Sequence, residues 1–123
     1  MANPNIVQVA NIYGKTSRSN LATTSEINIL NNPSASNKLI KINTMNVSNG
    51  SNTNTSITIA FYEEDDLGGT SAHLVKDVTV PAYSTLTVID KSTMYYLEEN
   101  SSIGATAGTA NVISIICSYE EIS

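Results

Sequence analysis

Tryptophan is absent from these 123 residues, phenylalanine and cysteine occur once each, and only 14% of positions are charged. Each shortage excludes something. A single cysteine forbids an internal disulfide, so stability does not rest on cross-links. With so few large aromatics, Val, Ile and Leu must fill the core, helped by the six tyrosines. Ordinary soluble domains carry ~25% charged residues. This chain has too few to coat helices with Glu/Lys pairs. Its six basic residues are scattered singly, whereas neutralising phosphates takes clustered Lys and Arg. With a net charge of −5, this argues against nucleic acid or an anionic membrane as partner. No stretch reaches transmembrane length. The opening "MANPNIVQVANIYGKTSR" lacks the uninterrupted apolar core of a signal peptide.

What the chain has in excess is uncharged polarity. Asn, Ser and Thr make up 45 of the 123 residues. These side chains compete for backbone hydrogen bonds inside helices and suit turns and solvated strand faces. Sequons such as "NVS" and "NTS" follow from this bias and carry no weight without a secretion signal. The composition predicts an all-β protein.

The order of residues agrees. Short apolar-alternating runs recur every ten to fifteen residues, separated by turn clusters. The first spans 6–13 and ends at Gly14. In "TSEINILNN", Ile27 and Ile29 share a face, and "NNPSASN" breaks the run. In "KLIKINTMNV", Ile40 and Ile42 keep one phase while Met45 and Val47 keep the other. A two-residue period does not slip without cause, so a bulge is expected near Asn43 and Thr44.

"SITIAFYEE" sets Ile57, Ile59 and Phe61 on one face. "AHLVKDVTV" buries Leu74, Val78 and Val80, with Lys76 out of pattern, and Pro81 forces a corner. "STLTVID" points Leu86 and Val88 inward, and a short "MYYL" follows. "SIGATA" and "NVISIICSYEEI" are split by "GTAN". In the last run Ile113, Ile115, Cys117 and Tyr119 oppose Ser114, Ser118 and Glu120. "SRSNLATTSEINIL" is the one place where a helical turn competes. No repeat or linker is found. The expectation is an antiparallel β-sandwich or jelly roll of about eight strands, one domain over 1–123, with a flexible arm over 1–5.

Candidate chemistry is thin. The acidic cluster Glu63, Glu64, Asp65 and Asp66 offers the oxygen ligands that calcium needs. It lacks the spacing of a calcium loop, and solvated charges at a hairpin tip are the simpler reading. In the adjacent pairs Glu98–Glu99 and Glu120–Glu121, neighbouring strand residues face opposite ways, so neither pair converges on one substrate atom. His73 is the sole histidine, and no "GxSxG" elbow supplies a nucleophile for it. One His and one Cys do not make a zinc site. Cys117, on an apolar strand face, reads as a small inert hydrophobe. "DLGGT" is no phosphate loop, because no Lys-Ser/Thr follows. No catalytic residue, cofactor or metal is expected, and the chain reads as a non-enzyme.

The opening "MANPNIVQVANIYGKT", the segment "VPAYSTLTVIDKSTMYYLEENSSIGATA" and the close "SYEEIS" resemble a family of small virion structural proteins. These occur in tailed phages, notably those of marine and cyanobacterial hosts. The likeness lies in the strand-and-turn pattern over nearly the whole chain, and it carries no catalytic signature. It implies a β-sandwich made in the host cytoplasm and built into the virion. There it would be a capsid decoration or cement protein, bound to the major capsid protein or to other virion proteins and able to form a homo-oligomer such as a trimer.

For such a role the N-terminal Asn3, Pro4, Asn5, Ile6 and Val7 form a candidate arm, able to add to a neighbour's sheet edge. An ordinary first strand is the equal alternative. Two other functions fit the same sequence. One is a neck, tail or fibre protein of the virion. The other is a carbohydrate-binding jelly roll using "MYYL" as a stacking platform, although Tyr95 and Tyr96 face opposite ways if extended.

Overall fold

A computed structural model describes residues 7–123 as nine strands and two short 3-10 turns. The strands are β1 (Ile12–Leu21), β2 (Ile27–Asn32), β3 (Leu39–Asn49), β4 (Thr55–Glu64), β5 (Gly68–Val80), β6 (Thr85–Ile89), β7 (Tyr95–Leu97), β8 (Ser101–Ala107) and β9 (Ile113–Ile122). They form two antiparallel sheets. The first runs β1-β9-β3-β6, with β7 pairing β3 beyond β6, and the second runs β2-β8-β4-β5. β6 and β7 occupy one position interrupted by the turn Lys91–Thr93, so the order is that of a jelly roll. The all-β sandwich expected from composition is the fold.

Alternation builds the core. Leu21, Ile42, Met45, Val47, Ile89, Leu97, Ile113, Ile115 and Cys117 point inward from the first sheet. Leu30, Ile57, Ile59, Val80, Ile103, Ala105 and Ala107 meet them from the second. Strand β3 changes phase where its apolar pattern does. Its pairing with β9 slips between Ile42 and Thr44, leaving Asn43 as the extra residue and keeping both Ile42 and Met45 fully buried.

Several local expectations are corrected. The first described strand does not end at Gly14 but runs through it to Leu21, in unbroken register with β9. β1 is an edge strand on the rim, so only Leu21 has to be apolar. "SRSNLATTSEINIL" forms strand, bend and strand rather than a helical turn. In β2 a bulge at Ile29 brings Leu30 fully into the core, while Ile27 and Ile29 pack partly buried against it. In β5, register shifts opposite Ile59 place Val75 across from that residue. Asp77 takes a left-handed φ of 47°, and its N–H donates to the Thr58 hydroxyl. The slip resolves the misfit at Lys76, which faces solvent.

Two buried asparagines lock the ends of the sandwich. Asn49 donates through its side-chain amide to the carbonyls of Thr53 and Val80 at 2.8 and 3.0 Å, and accepts from the N–H and hydroxyl of Ser51. At the other end Asn32 donates to the carbonyls of Lys38 and Leu97 and accepts from the Ser36 hydroxyl. Among the described residues no buried side-chain polar atom lacks a partner. Removing the Asn49 amide takes away the buried side-chain donor to the Val80 carbonyl. Asn49→Ala is expected to cost about 2–3 kcal/mol, read as a lower urea midpoint with an unchanged slope.

Candidate assembly surface

Three ladder rows of the outer face of the first sheet carry mostly uncharged polar side chains, beside a row that holds Glu120 and Lys41. Successive ladder rows across β1, β9, β3 and β6 read Asn20–Ser114–Ser48–Thr85 and Arg18–Ile116–Asn46–Thr87, and the Thr16–Ser118–Thr44 row comes next. Ile116 stands in its middle with 48% of its surface exposed. Arg18 has no hydrogen-bond or ion-pair partner among the described residues, whereas the neighbouring Asn20 side chain accepts from the Ser114 hydroxyl at 2.8 Å. A shallow concavity of about 410 Å³ lies here, lined by Arg18, Ser19, Asn20, Ser114, Ile115 and Ile116. Apart from Arg18, whose charge a partner would have to match, such a face can meet a partner through one apolar foot and short hydroxyl or amide contacts.

The sequence-selected residues scatter over the molecule. The β4–β5 turn folds back over the outer face of β8 and does not stand free as a hairpin tip. The N–H groups of Asp65, Asp66 and Leu67 donate to Asn100, Asn31 and Ser102, respectively. The Ser102 hydroxyl donates in turn to the Glu64 carbonyl, and Asp65 accepts from the Ser34 N–H at 2.9 Å. Asp66 and Leu67 both hold left-handed φ angles, near 53° and 62°, which these contacts impose. Gly104 lies beneath them, where an added Cβ would come within 2.7 Å of the Glu26 carboxylate and push that side chain aside.

Glu63, Glu64, Asp65 and Asp66 therefore form a clasp. Among the described residues no three His, Cys, Asp or Glu side chains converge as metal ligands. Beyond the end of β7, Glu99 is buried and accepts from the Asn37 N–H while Glu98 is exposed, so the pair does not converge. His73 is exposed on β5 opposite Ala60. Tyr95 and Tyr96 do face opposite ways. Tyr95 meets Phe61 edge-on at 5.4 Å and Tyr96 points outward beside Lys41, so they make no shared stacking platform.

Of the candidate arm, Asn3, Pro4, Asn5 and Ile6 lie outside the described residues. Val7 is exposed, and the chain after it is tied to the C-terminus where Asn11 and Ser123 exchange backbone hydrogen bonds. No helix among the described residues is long and apolar enough to cross a membrane. Sequence reasoning missed Arg18 and Ile116 as surface residues. It had ended the first strand before Arg18, and it left Ile116 unassigned between Ser114 and Ser118 on the outward face.

No family model matches the chain, and no curated protein is similar to it. Among solved structures it is similar to a chain of the disulfide-linked pili formed by Bacillus endospore appendages. The TM-score is 0.56 at 15% identity, over 100% of this chain and 94% of that one. A weaker likeness, TM-score 0.37 at 10% identity, is to a chain of the infectious bursal disease virus Gx strain structure, over 91% of this chain and 39% of that one. At these identities the first shows a shared fold and the second supports no argument.

Two groups give testable chemistry. Glu121 receives Lys38 at 2.9 Å and Lys15 at 3.2 Å, joining strands β1 and β9 to the approach to β3. The Lys38 hydrogen bond, aided by Lys15 and opposed by burial, holds its carboxyl below the ordinary 4.5. A depressed carboxylate stabilises above its unfolded value, and the contribution is lost as pH falls through the folded one. Glu121→Gln should therefore cost about 1 kcal/mol at pH 7, and its melting temperature should converge on that of the wild type as the solution is acidified below pH 4.5. Burial alone pushes the Cys117 thiol up to about 12. It should resist a thiol-specific reagent in the native protein and react fully once urea unfolds it.

Proposed function

We propose that this chain is a non-enzymatic structural subunit that packs onto a larger protein lattice, specifically a decoration or cement protein on the outer shell of a tailed-phage capsid. The observation that carries the reading is the Ser/Thr/Asn-rich outer face of the first sheet with Ile116 exposed at its centre. A rigid sandwich with such a face can add to a preassembled surface without refolding. A partner that binds only the assembled state stabilises it by mass action, by about 2.7 kcal/mol at a hundredfold excess over its dissociation constant. Repeated over a shell, this cements it.

Two further points support an assembly role. The fold is shared with a chain that forms pili, and the sequence pattern resembles small virion proteins. The pili of that relative are described as disulfide-linked. Here the single cysteine is buried in the core, so linkage between folded subunits of this chain would be non-covalent.

The test is addition of purified protein to shells that lack it, with the particles then imaged. Copies in the hundreds on the outer surface are expected, and Ile116→Glu should bind at least tenfold more weakly with its fold intact. A handful of copies at a vertex or on the tail would replace the decoration role with a neck, tail or fibre role. No binding to any particle component would overturn the assembly reading.

A further inference from the structure

The open edges of the two sheets are not equally guarded. β5 is interrupted by register shifts and the left-handed Asp77, and β2 is short and bulged. β1 has ten residues, no proline and no bulge against β9. Asn11 and Ser123 exchange both backbone hydrogen bonds. By antiparallel alternation the odd residues of β1 therefore bond to β9, and Ile12, Gly14, Thr16, Arg18 and Asn20 aim their N–H and C=O groups outward. An edge of this kind is a template for another strand.

The first sheet also supplies the strand that fits it. β6 and β7 form its opposite edge and run antiparallel to β1, because β1 and β3 share a direction through β9. A second copy placed beside the first, without reversal, thus offers its β6–β7 edge to β1 with the correct polarity. The ladder rows carry the match further. Gly14, Glu120, Lys41 and Tyr96 share one row, and Tyr13, Glu121, Ile40 and Leu97 share the next.

Ile12, Tyr13, Tyr95 and Tyr96 are exposed at 57%, 54%, 38% and 44%, and all four sit on these two edges at the same end of the sheet. A Cβ built on Gly14 meets nothing within 4 Å, which leaves room for a ring above it. The neighbour's Tyr96 falls in the Gly14 row beside Ile12, and its Tyr95 lies diagonal to Tyr13, within aromatic reach. Charge agrees. β1 holds Lys15 and Arg18 and no acid, whereas the segment 85–98 holds Asp90 and Glu98 against Lys91. Pairing β1 with the β1 of a reversed copy would instead gather four cations in one ribbon and leave Tyr95 and Tyr96 uncovered.

We propose that β1 binds the β6–β7 edge of a second copy of this chain, joining first sheets side by side in a head-to-tail interface. Such a heterologous contact closes into a ring or continues as a row, depending on the rotation between copies. The inference deepens the assembly reading by naming its subunit–subunit contact, but it is tested without any particle.

The experiment is sedimentation of two variants, separately and mixed, with circular dichroism to check the fold. Thr16→Pro replaces an outward N–H with a ring and leaves the β9 ladder whole. Tyr96→Lys removes the ring from the opposite edge. Wild type should associate beyond 13.1 kDa at high concentration, and each variant alone should be monomeric. Their mixture should form a dimer, because each retains the surface that the other has lost. Tyr96→Lys carries the test alone if Thr16→Pro does not fold. A strictly monomeric wild type, a Tyr96→Lys variant that associates like wild type, or a mixture of folded variants that stays monomeric would each overturn the proposal. Shell binding by a monomeric wild type would then leave the decoration reading standing.

Discussion

Two buried side-chain amides hold this sandwich together where its hydrophobic core cannot reach. The aliphatic inner faces fix the middle of each sheet, but the loops at both ends are runs of Asn, Ser and Thr with little to bury. Asn49 closes one end by bonding the carbonyls of Thr53 and Val80 at once. Asn32 closes the other through Lys38 and Leu97. A buried amide with unmatched groups costs about 1–3 kcal/mol. The same geometry, fully matched, makes any other loop path expensive. With no disulfide within the chain, these contacts set where β3, β5 and β7 begin and end. The register of the whole first sheet follows, since β3 pairs with β9, β6 and β7.

Much of the fold was legible because side-chain period is enforced wherever one face is buried. The phase change between Ile42 and Met45 marked the Asn43 bulge, and "SITIAFY" and "NVISIICSY" kept the faces their alternation assigned. Legibility failed where burial stopped enforcing the period. β1 lies on the rim, and its "GKTSRSN" stretch carries no apolar signal although it pairs perfectly with β9. Ile29 sits on a bulge and Lys76 beside one, and in both places an extra residue uncouples sequence parity from face.

The clasp of residues 64–67 over β8 was invisible for a different reason. It is built from Asn31, Asn100 and Ser102, which lie 35 positions away from their partners in sequence. Nothing local distinguishes these side chains from the many solvated ones of the same type. The buried Asn32 and Asn49 were hidden in the same way, inside a composition that predicts turns.

The candidate surface follows from this economy of charge. A protein with many hydroxyl and amide side chains can present a broad face that partners need not neutralise. Arg18 and Ile116 interrupt it in the middle, and Glu120, Lys41 and Tyr96 border it. Its strand edges then matter more than its side chains. β5 and β2 carry the irregularities that discourage pairing, while β1 carries only the charges of Lys15, which is drawn to Glu121, and Arg18.

Charge placement sets how readily such molecules lie side by side. The acids Glu63, Glu64, Asp66, Glu98, Glu120 and Glu121 gather at the end of the sandwich where β1 begins and β7 ends, among Lys15, Lys38 and Lys41. The loops 50–54, 81–84 and 108–112 at the opposite end carry no charge at all. Copies sharing one strand direction therefore line up their acidic ends along one rim. That repulsion acts across solvent and is screened over about 8 Å at physiological ionic strength, whereas backbone pairing and the tyrosine contacts are barely touched by salt. The balance favours association as ionic strength rises. At low ionic strength the same polarity opposes that alignment.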